Sequence, residues 1–451
     1  MNKNNKIIRN GQLVIPHQGI VRGDILINDG KITGICSGFN LSDADIDIDA
    51  QGKYIFPGII DSHVHYGLGS PEDFRTETRS AALGGVTTVL NFLIDSKKYS
   101  EVFAAEKEKA EKLAYVDFSF HFCLMNDGHL EEIPLYIEKM KISSFKFFMN
   151  FRGNEGRYMG IEGTDDGFLY EYLKKISQYP KAKAFIHAEN IEVCWRLRNQ
   201  LKELGQDGLK VWNQSRPSFL EAESIDRVYN LGKVNDCSLY IAHISAKESC
   251  KELYAIKKEY NKIYAETCTH YLTHTEDSQI GNIGKVNPPL RTPEDREYLW
   301  ESLRNGTLDV ISTDHVPRKF ITKKGNIWEC SAGFPGTATL LPIVLSEGYH
   351  KRRLSLERIA ELLSENPARL FNMYPRKGSL QIGSDADLTI VDLNLKKKVK
   401  STELGSFSDY SLYDGWILTG WPVLTMIRGQ VVMREGKIMI KPGYGKFIPR
   451  F

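Results

Sequence analysis

Short apolar segments alternate with charged segments of helical length through the middle of this 451-residue chain. This alternation is typical of an α/β protein with a parallel sheet. Eight apolar segments end as strand candidates at 59–61, 89–91, 120–122, 145–147, 185–187, 241–243, 264–266 and 310–312. Eight is the strand number of a closed (β/α)8 barrel, so we predict a TIM-like barrel. A doubly wound open sheet is the alternative, but no glycine-rich fingerprint supports it.

The two ends of the chain carry β-hairpin patterns. β-Forming residues surround Asp29-Gly30 at 25–32, and a similar pattern surrounds Glu435-Gly436 at 431–438. We predict that residues 1–55 and 376–451 together build a small β-sandwich domain beside a barrel formed by residues 56–375. The basic run at 396–400 is predicted to be a solvated loop rather than a site for an acidic partner.

Composition and charge limit the classes of partner. Apolar residues make up 41% of the chain and charged residues 26%, which excludes a disordered, collagen-like or coiled-coil protein. Lys and Arg number 59 against 57 Asp and Glu, and the net charge of +2 is too small for a nucleic-acid-binding surface. A small molecule is the expected partner. Neither a membrane span nor a signal peptide is visible, and the seven cysteines are scattered, so we expect a cytoplasmic protein with reduced cysteines.

The connection after the first strand candidate shows where a helix is expected to begin and end. Ser70 fits an N-cap and Pro71 the first helical position, followed by Glu72 and Asp73. Gly84-Gly85 then predicts the end of this helix.

Histidines stand where several strand candidates end. His63 and His65 are two positions apart, so in an extended strand both imidazoles point to the same side and could grip one cation. His187 and His243 follow the apolar runs of the fifth and sixth candidates. Because catalytic groups of a barrel lie at the carboxyl ends of its strands, we expect these four imidazoles at one mouth.

Two further strand-end residues complete this set. Asp314 follows the eighth candidate and suits a metal-contacting general base, although an aspartate there is more often a helix N-cap. Lys146 would place an ammonium inside an apolar strand, which is costly if the charge is unpaired. Either its side chain reaches the rim, or its amine has reacted with carbon dioxide to give a carbamate whose two oxygens bridge two metals.

Four neutral imidazoles and two anionic ligands suit two Zn²⁺-like ions. Two metals about 3.5–4 Å apart polarise a substrate carbonyl and lower the pKa of a shared water towards ~7, which supplies hydroxide at neutral pH. The predicted reaction class is therefore metal-assisted hydrolysis.

Motifs along nearly the whole chain resemble those of the cyclic amidohydrolases of the amidohydrolase superfamily, in the branch of dihydropyrimidinase, hydantoinase, allantoinase and dihydroorotase. They are Phe56-Pro57-Gly58-Ile59-Ile60-Asp61-Ser62-His63-Val64-His65, Gly84-Gly85-Val86-Thr87-Thr88, Ser144-Phe145-Lys146, His187-Ala188-Glu189-Asn190, His243-Ile244-Ser245, Glu266-Thr267-Cys268, Asn287-Pro288-Pro289-Leu290-Arg291 and Thr313-Asp314-His315.

The resemblance implies a role for each member of the ligand set. One metal is held by His63, His65 and Asp314, the other by His187 and His243, and carboxylated Lys146 bridges both. A bridging hydroxide attacks the ring amide carbonyl, and Asp314 carries the proton to the departing ring nitrogen. The resemblance also implies zinc as the metal and a homodimer or homotetramer.

Three positions near the site bear on the substrate. Dihydroorotases carry an arginine two residues after the His-x-His pair, where this chain has Gly67, so dihydroorotate is disfavoured. Hydantoinases carry a tyrosine five residues after the bridging lysine, where this chain has Phe151, and the missing hydroxyl could cost ~3 kcal/mol unless Tyr158 replaces it. Asn287 is expected to hydrogen-bond the substrate, with a plain turn residue before two prolines as the alternative.

Other positions leave alternatives open. Ala332 stands where hydantoinase-like chains place an asparagine, so one polar contact to the ring is missing. His270 and His274 are expected to be structural or solvent-exposed. We predict a hydrolase of hydantoin or dihydropyrimidine rings, with allantoin or dihydroorotate as alternative substrates and a non-enzymatic oligomeric scaffold as the alternative from another class. A Ser-His-Asp hydrolase is disfavoured because no G-x-S-x-G elbow occurs.

Overall fold

Residues 5–38, 46–153, 156 and 164–450 are described in the computed structural model of this protein. Tyr158, the suggested replacement for the missing tyrosine, lies outside the described residues. No helix in these ranges is long and apolar enough to cross a membrane.

The strands belong to two sheets. Those of the mixed sheet are β1 (Asn5–Ile15), β2 (Gly19–Asn28), β3 (Lys31–Cys36), β4 (Ile46–Asp49), β5 (Tyr54–Pro57), β14 (Leu388–Lys398), β15 (Ile417–Ile427), β16 (Gln430–Arg434) and β17 (Lys437–Ile438). Those of the parallel sheet are β6 (Ile59–Val64), β7 (Val86–Leu93), β8 (Asp117–Cys123), β9 (Ser144–Phe148), β10 (Lys183–His187), β11 (Leu239–Ile241), β12 (Ile263–Cys268) and β13 (Val310–Ser312).

Helices occupy most connections between the strands of the parallel sheet. The α-helices of the described ranges are Asp73–Leu83, Tyr99–Leu113, Asp127–Glu131, Ile133–Glu138, Asp166–Ser177, Ile191–Glu203, Leu209–Gln214, Phe219–Val234, Lys247–Glu259, Pro293–Asn305, Leu340–Ile343, Leu356–Ala360 and Asn366–Leu370. Short 3-10 turns lie at Gly281–Gly284, Phe320–Lys323, Thr337–Thr339 and Ser401–Glu403, and π-helical turns at Val344–His350 and Glu361–Glu365.

The parallel sheet follows chain order. Its eight described strands are hydrogen-bonded in the sequence β6 to β13, and every residue of β8, β9 and β10 is buried. Strands covered on both faces read as apolar runs, which is why the eight segments were recognisable in the sequence. All eight strand predictions are confirmed, and the fold is the predicted TIM-like barrel with a second β domain.

The mixed sheet joins the two ends of the chain. Among the described residues it has nine strands, and the central pairing is antiparallel, with Leu388 of β14 opposite Pro57 of β5 and Thr389 opposite Phe56. Asp29-Gly30 connects β2 to β3 and Glu435-Gly436 connects β16 to β17, all four residues having positive φ as a tight hairpin turn requires. The prediction that both ends build one β domain is confirmed.

The chain falls into two compact units. The first comprises residues 1–90, 108–119 and 336–448, and its sheet is covered by an apolar core that includes Ile8, Leu13, Ile55, Leu388 and Met426. The second comprises residues 91–107, 120–335 and 449–451 and contains β9 to β13 with their connecting helices. The domain limits at residues 55 and 375 remain predictions.

Two local predictions were wrong. The helix expected to begin at Pro71 begins at Asp73, and Ser70 accepts the N–H of Glu72 instead of capping the helix. The reason is that Asp73 Oδ2 accepts the N–H groups of Gly67 (2.8 Å) and Gly69 (2.9 Å), which holds the preceding residues in a turn. The basic run at 396–400 is not a loop throughout, because its first three lysines continue strand β14.

Candidate functional site

In the first unit, His63 on β6 and His65 directly after the strand form a buried pair. Their relative exposures are 1% and 9%, and their Nε2 atoms lie 3.3 Å apart. The alternation of side chains along a strand places both rings on one side, as the spacing predicted. Each imidazole offers one lone pair, so the two rings can ligate a single cation.

The turn after this pair disfavours an arginine at position 67, where dihydroorotases bind the substrate carboxylate. Gly67 has a φ of +98°, and its N–H donates to Asp73. A side chain strains the backbone in this left-handed region, so the position suits glycine. The backbone at Gly67 is therefore consistent with a glycine and unfavourable for the arginine of dihydroorotases.

In the second unit, the amine of Lys146 is enclosed by aromatic rings. Lys146 is fully buried on β9, with Nζ 4.5 Å from the ring centre of Phe185, 4.9 Å from Phe92 and 5.2 Å from Phe148. Nζ has no hydrogen-bond partner among the described residues. Burial lowers the pKa of Lys146 to about 8, against an opposing effect of the Glu266 carboxylate. A buried amine in this state is unusual for a purely structural lysine.

His187 and His243 lie against each other in the same unit. Their ring centroids are 4.5 Å apart and the ring planes form an angle of 75°. His187 ends β10, and the helix after it begins at Ile191 because the side chain of Asn190 accepts the N–H of Val193. Burial lowers the pKa of His187, which favours the neutral ring that a metal ligand needs.

His243 and Asp314 adopt a backbone conformation that side chains seldom tolerate. Their φ values are +37° and +49°, in the left-handed region. Such a residue costs on the order of 1–3 kcal/mol and persists where the surrounding structure enforces it, often at functional sites. The negative charge of the Asp314 carboxylate also raises the pKa of Lys146. Lys146, His187, His243 and Asp314 therefore belong to one neighbourhood of the second unit.

Two carboxylates near these residues had no predicted role. Glu266 is fully buried on β12, where its carboxylate accepts a hydrogen bond from the hydroxyl of Tyr240 at 2.9 Å. Its negative charge raises the pKa of Lys146, against the larger effect of burial. Glu189 Oε2 lies 3.2 Å from His187 Nε2. Both could have been recognised in the sequence as acidic residues in or shortly after an apolar strand, where an unpaired charge is costly.

The two predicted substrate contacts lie in the second unit. Phe151 stacks on Phe148, with ring centroids 4.3 Å apart. The Oδ1 atom of Asn287 is buried without a hydrogen-bond partner in the part of the chain that the structure describes. An orphaned amide oxygen of this kind is available to a ligand donor.

His270 and His274 are buried, so the solvent-exposed alternative for them was wrong. His270 packs against Phe334, with centroids 4.9 Å apart, and the hydroxyl of Thr273 lies 3.0 Å from Nδ1 of His274. The loop after β12 is polar in sequence but packed in the structure, which is why its burial was not recognised.

A cluster of three aspartates lies in the first unit, and a lysine ammonium is bound among them. Asp117, Asp385 and Asp387 surround the ammonium of Lys377 at 2.5, 3.0 and 2.7 Å. The cation that balances these carboxylates is a lysine, so the cluster is a buried ion-pair network rather than a metal site.

Comparison with known proteins identifies the family. The model of the amidohydrolase family matches residues 240–432. An L-hydantoinase of Paenarthrobacter aurescens is 35% identical over 460 residues, and a D-hydantoinase of Ralstonia pickettii is 33% identical over 462, each alignment covering 98% of both chains. The solved structure of L-hydantoinase (dihydropyrimidinase) from Arthrobacter aurescens has a TM-score of 0.93 and 34% identity, covering 99% of both chains.

The chain belongs to the amidohydrolase family. Within that family it is an enzyme of the hydantoinase and dihydropyrimidinase type, a hydrolase of cyclic amides. The predicted family and enzyme class are confirmed, which argues against the non-enzymatic scaffold.

Proposed function

We propose that this enzyme opens hydantoin or dihydropyrimidine rings with the help of two divalent metal ions. The observation that carries the proposal is the enclosed amine of Lys146, buried between three aromatic rings and without a hydrogen-bond partner among the described residues. Conversion of this amine to a carbamate would replace an unpaired cation by an anionic ligand, and the metal ions would balance the buried negative charge.

The proposed ligand set keeps the assignment that the motifs imply. His63, His65 and Asp314 would hold one ion, which we call the first metal site. His187 and His243 would hold the other, the second metal site, and carboxylated Lys146 would bridge both. The neutral ring of His187 and the same-side geometry of His63 and His65 support this set, since imidazole and carboxylate donors fit Zn²⁺.

The ions would supply hydroxide at neutral pH and polarise the ring carbonyl. Asp314 accepts a proton from the attacking water and delivers it to the departing ring nitrogen, which makes it the general acid and base. The position of Asp314, two residues after the carboxyl end of β13, supports this role, because catalytic groups of such barrels lie at the carboxyl ends of the strands. The product is an open-chain acid bearing an N-carbamoyl or related group.

The substrate is proposed to be an uncharged ring. Gly67 offers no cation for a substrate carboxylate, and its positive φ disfavours an arginine there. Asn287 Oδ1 can accept an N–H of the ring, which hydantoins and dihydropyrimidines both possess. Phe151 lacks the hydroxyl of the corresponding hydantoinase tyrosine, so the oxyanion must be stabilised by other groups.

The test combines metal content, intact mass and a ring-opening screen. Protein prepared in bicarbonate and zinc should contain two metals per chain and one added carbon dioxide, and it should open hydantoins or dihydropyrimidines faster than allantoin or dihydroorotate. Lys146→Met should lose both the adduct and the activity. Lys183→Met is the matched control, because Lys183 is also a mostly buried strand lysine but packs near Tyr264. A preference for dihydroorotate, or a protein without metal under every loading condition, would contradict the proposal.

Two further predictions extend this proposal. The resemblance implies assembly of two or four identical chains, and a cytoplasmic location is proposed as well. Sedimentation of the purified protein and fractionation of cells would test them.

A further inference from the structure

Behind the imidazole of His187 lies a chain of two charged side chains. Glu189 Oε2 is 3.2 Å from His187 Nε2, and the same oxygen accepts a hydrogen bond from Nη1 of Arg216. The side chains of His187, Glu189 and Arg216 are only 5%, 1% and 4% exposed. The contacts are therefore shielded from water. Charge-assisted hydrogen bonds are stronger in such a buried environment than in solvent.

Arg216 is itself held in place. Its guanidinium lies 4.8 Å from the ring centre of Trp212, and its carbonyl oxygen accepts a hydrogen bond from Arg291. The Arg216 guanidinium donates to the same Glu189 oxygen that faces His187, so Glu189 is paired with a permanent cation. Glu189 is consequently a fixed carboxylate that can only accept hydrogen bonds.

This arrangement distinguishes the two nitrogens of His187. A neutral imidazole carries one proton, and the carboxylate of Glu189 favours the tautomer with that proton on Nε2. The lone pair is then on Nδ1, which is the atom left for a metal. A carboxylate that orients a ligand histidine raises the basicity of the ligand and fixes its ring.

We propose that Glu189, held by Arg216, is a positioning residue that selects the Nδ1-ligating tautomer of His187 for the second metal site. The inference rests on the proposed binuclear function and extends it by naming residues that determine how tightly the second ion is held. Glu189 is not a catalytic residue, because it acts through His187.

The chain offers a matched reference for this pair. Glu221 is 2% exposed and lies 3.6 Å from the guanidinium of Arg291. Its carboxylate accepts the N–H of Ser245 at 3.0 Å and the hydroxyl of the same residue. Glu221 is thus another buried carboxylate paired with an arginine, and its hydrogen bonds in the described structure go to a serine instead of a histidine.

The experiment compares Glu189→Ala and Glu189→Gln with Glu221→Gln. Each full-length protein is stripped of metal, reloaded with Zn²⁺ and bicarbonate, and titrated against a competing chelator to obtain both affinities. We expect Glu189→Ala to weaken the binding of the second ion by about 10- to 100-fold, as loss of an outer partner of a ligand histidine does. Glu189→Gln should show a smaller loss, because its amide oxygen still accepts the Nε2 proton. Glu221→Gln should keep both affinities.

Thermal unfolding of the metal-free proteins separates metal binding from folding. If Glu189→Ala does not fold, Glu189→Gln carries the test. Unchanged affinities in the folded Glu189 variants would overturn the inference, and so would an equal loss in Glu221→Gln. A wild-type protein that binds fewer than two ions would instead contradict the proposed function, so the two failures are distinguishable.

Discussion

The imidazole rings of His187 and His243 lie edge to face, with their centroids 4.5 Å apart. They come from the ends of two strands that are neighbours in the parallel sheet, β10 and β11. Adjacent parallel strands place the residues at their carboxyl ends side by side, so the two rings meet although 55 residues of chain lie between them. Both histidines belong to the second unit, and their rings are in direct contact.

His243→Asn should remove one ligand of this pair. We expect the variant to lose one metal ion per chain and kcat to fall at least about 10³-fold, about 4 kcal/mol of transition-state stabilisation. Metal analysis and steady-state kinetics on hydantoin and dihydrouracil check this. His350→Asn is the control, because His350 is exposed and its Nε2 bonds to the carbonyl of Leu393. Retention of two ions and of activity by His243→Asn would exclude His243 as a ligand.

Phe151→Tyr should restore the missing hydroxyl donor. Because the ring of Phe151 already packs on Phe148, a tyrosine fits the same position with little change in packing. We expect kcat for hydantoin to rise by about 10-fold or more with KM nearly unchanged, since an oxyanion donor acts mainly in the transition state. The same substitution at Phe219, which is 52% exposed, should change neither constant. An unaltered kcat would mean that position 151 does not face the developing oxyanion.

Most of the fold could be predicted because it rests on local signals. Buried parallel strands produce apolar runs in the sequence. The Asp29-Gly30 and Glu435-Gly436 turns predict the hairpins of the mixed sheet. The start of the helix after β6 could not be predicted, because the side chain of Asp73 captures the N–H groups of Gly67 and Gly69. That competition is a property of the folded loop rather than of any single residue.

Some features of the candidate site could likewise be predicted from the sequence, and others could not. Histidines at strand ends are visible in the sequence, whereas the contact between Glu189 and Arg216 spans 27 residues and depends on a loop between two helices. Histidine and aspartate adopt the left-handed backbone more often than most residues, but their presence at 243 and 314 does not by itself predict it, because both are far more often found at negative φ. Tertiary packing fixes both features, so they emerged only from the structure.

Lys377→Met should destabilise the first unit without touching the proposed ligands. It would leave Asp117, Asp385 and Asp387 buried without the ammonium that lies within 3.0 Å of all three. Removing one partner of a buried ion pair costs about 3–5 kcal/mol. Urea unfolding measures the change, and Lys31→Met is the control, since Lys31 is 45% exposed and contacts Asp385 from the surface. The control should cost at most about 1 kcal/mol, and an equally small loss in Lys377→Met would refute the network's structural role.

The same network predicts how stability depends on acid. Burial raises the pKa of Asp385, but Lys377 and the hydrogen bond from Lys31 outweigh it and lower the pKa to about 2 from the ordinary 3.8. A carboxyl group whose pKa is depressed by folding stabilises the protein above its unfolded pKa, and this contribution is lost as the pH falls through the folded pKa. Between pH 5 and pH 3 the wild type should therefore lose about 1 kcal/mol more unfolding free energy than Asp385→Asn, which lacks the titrating group. Urea unfolding at several pH values would show two curves that converge towards acid, and parallel curves would mean that Asp385 is not stabilised by its cations.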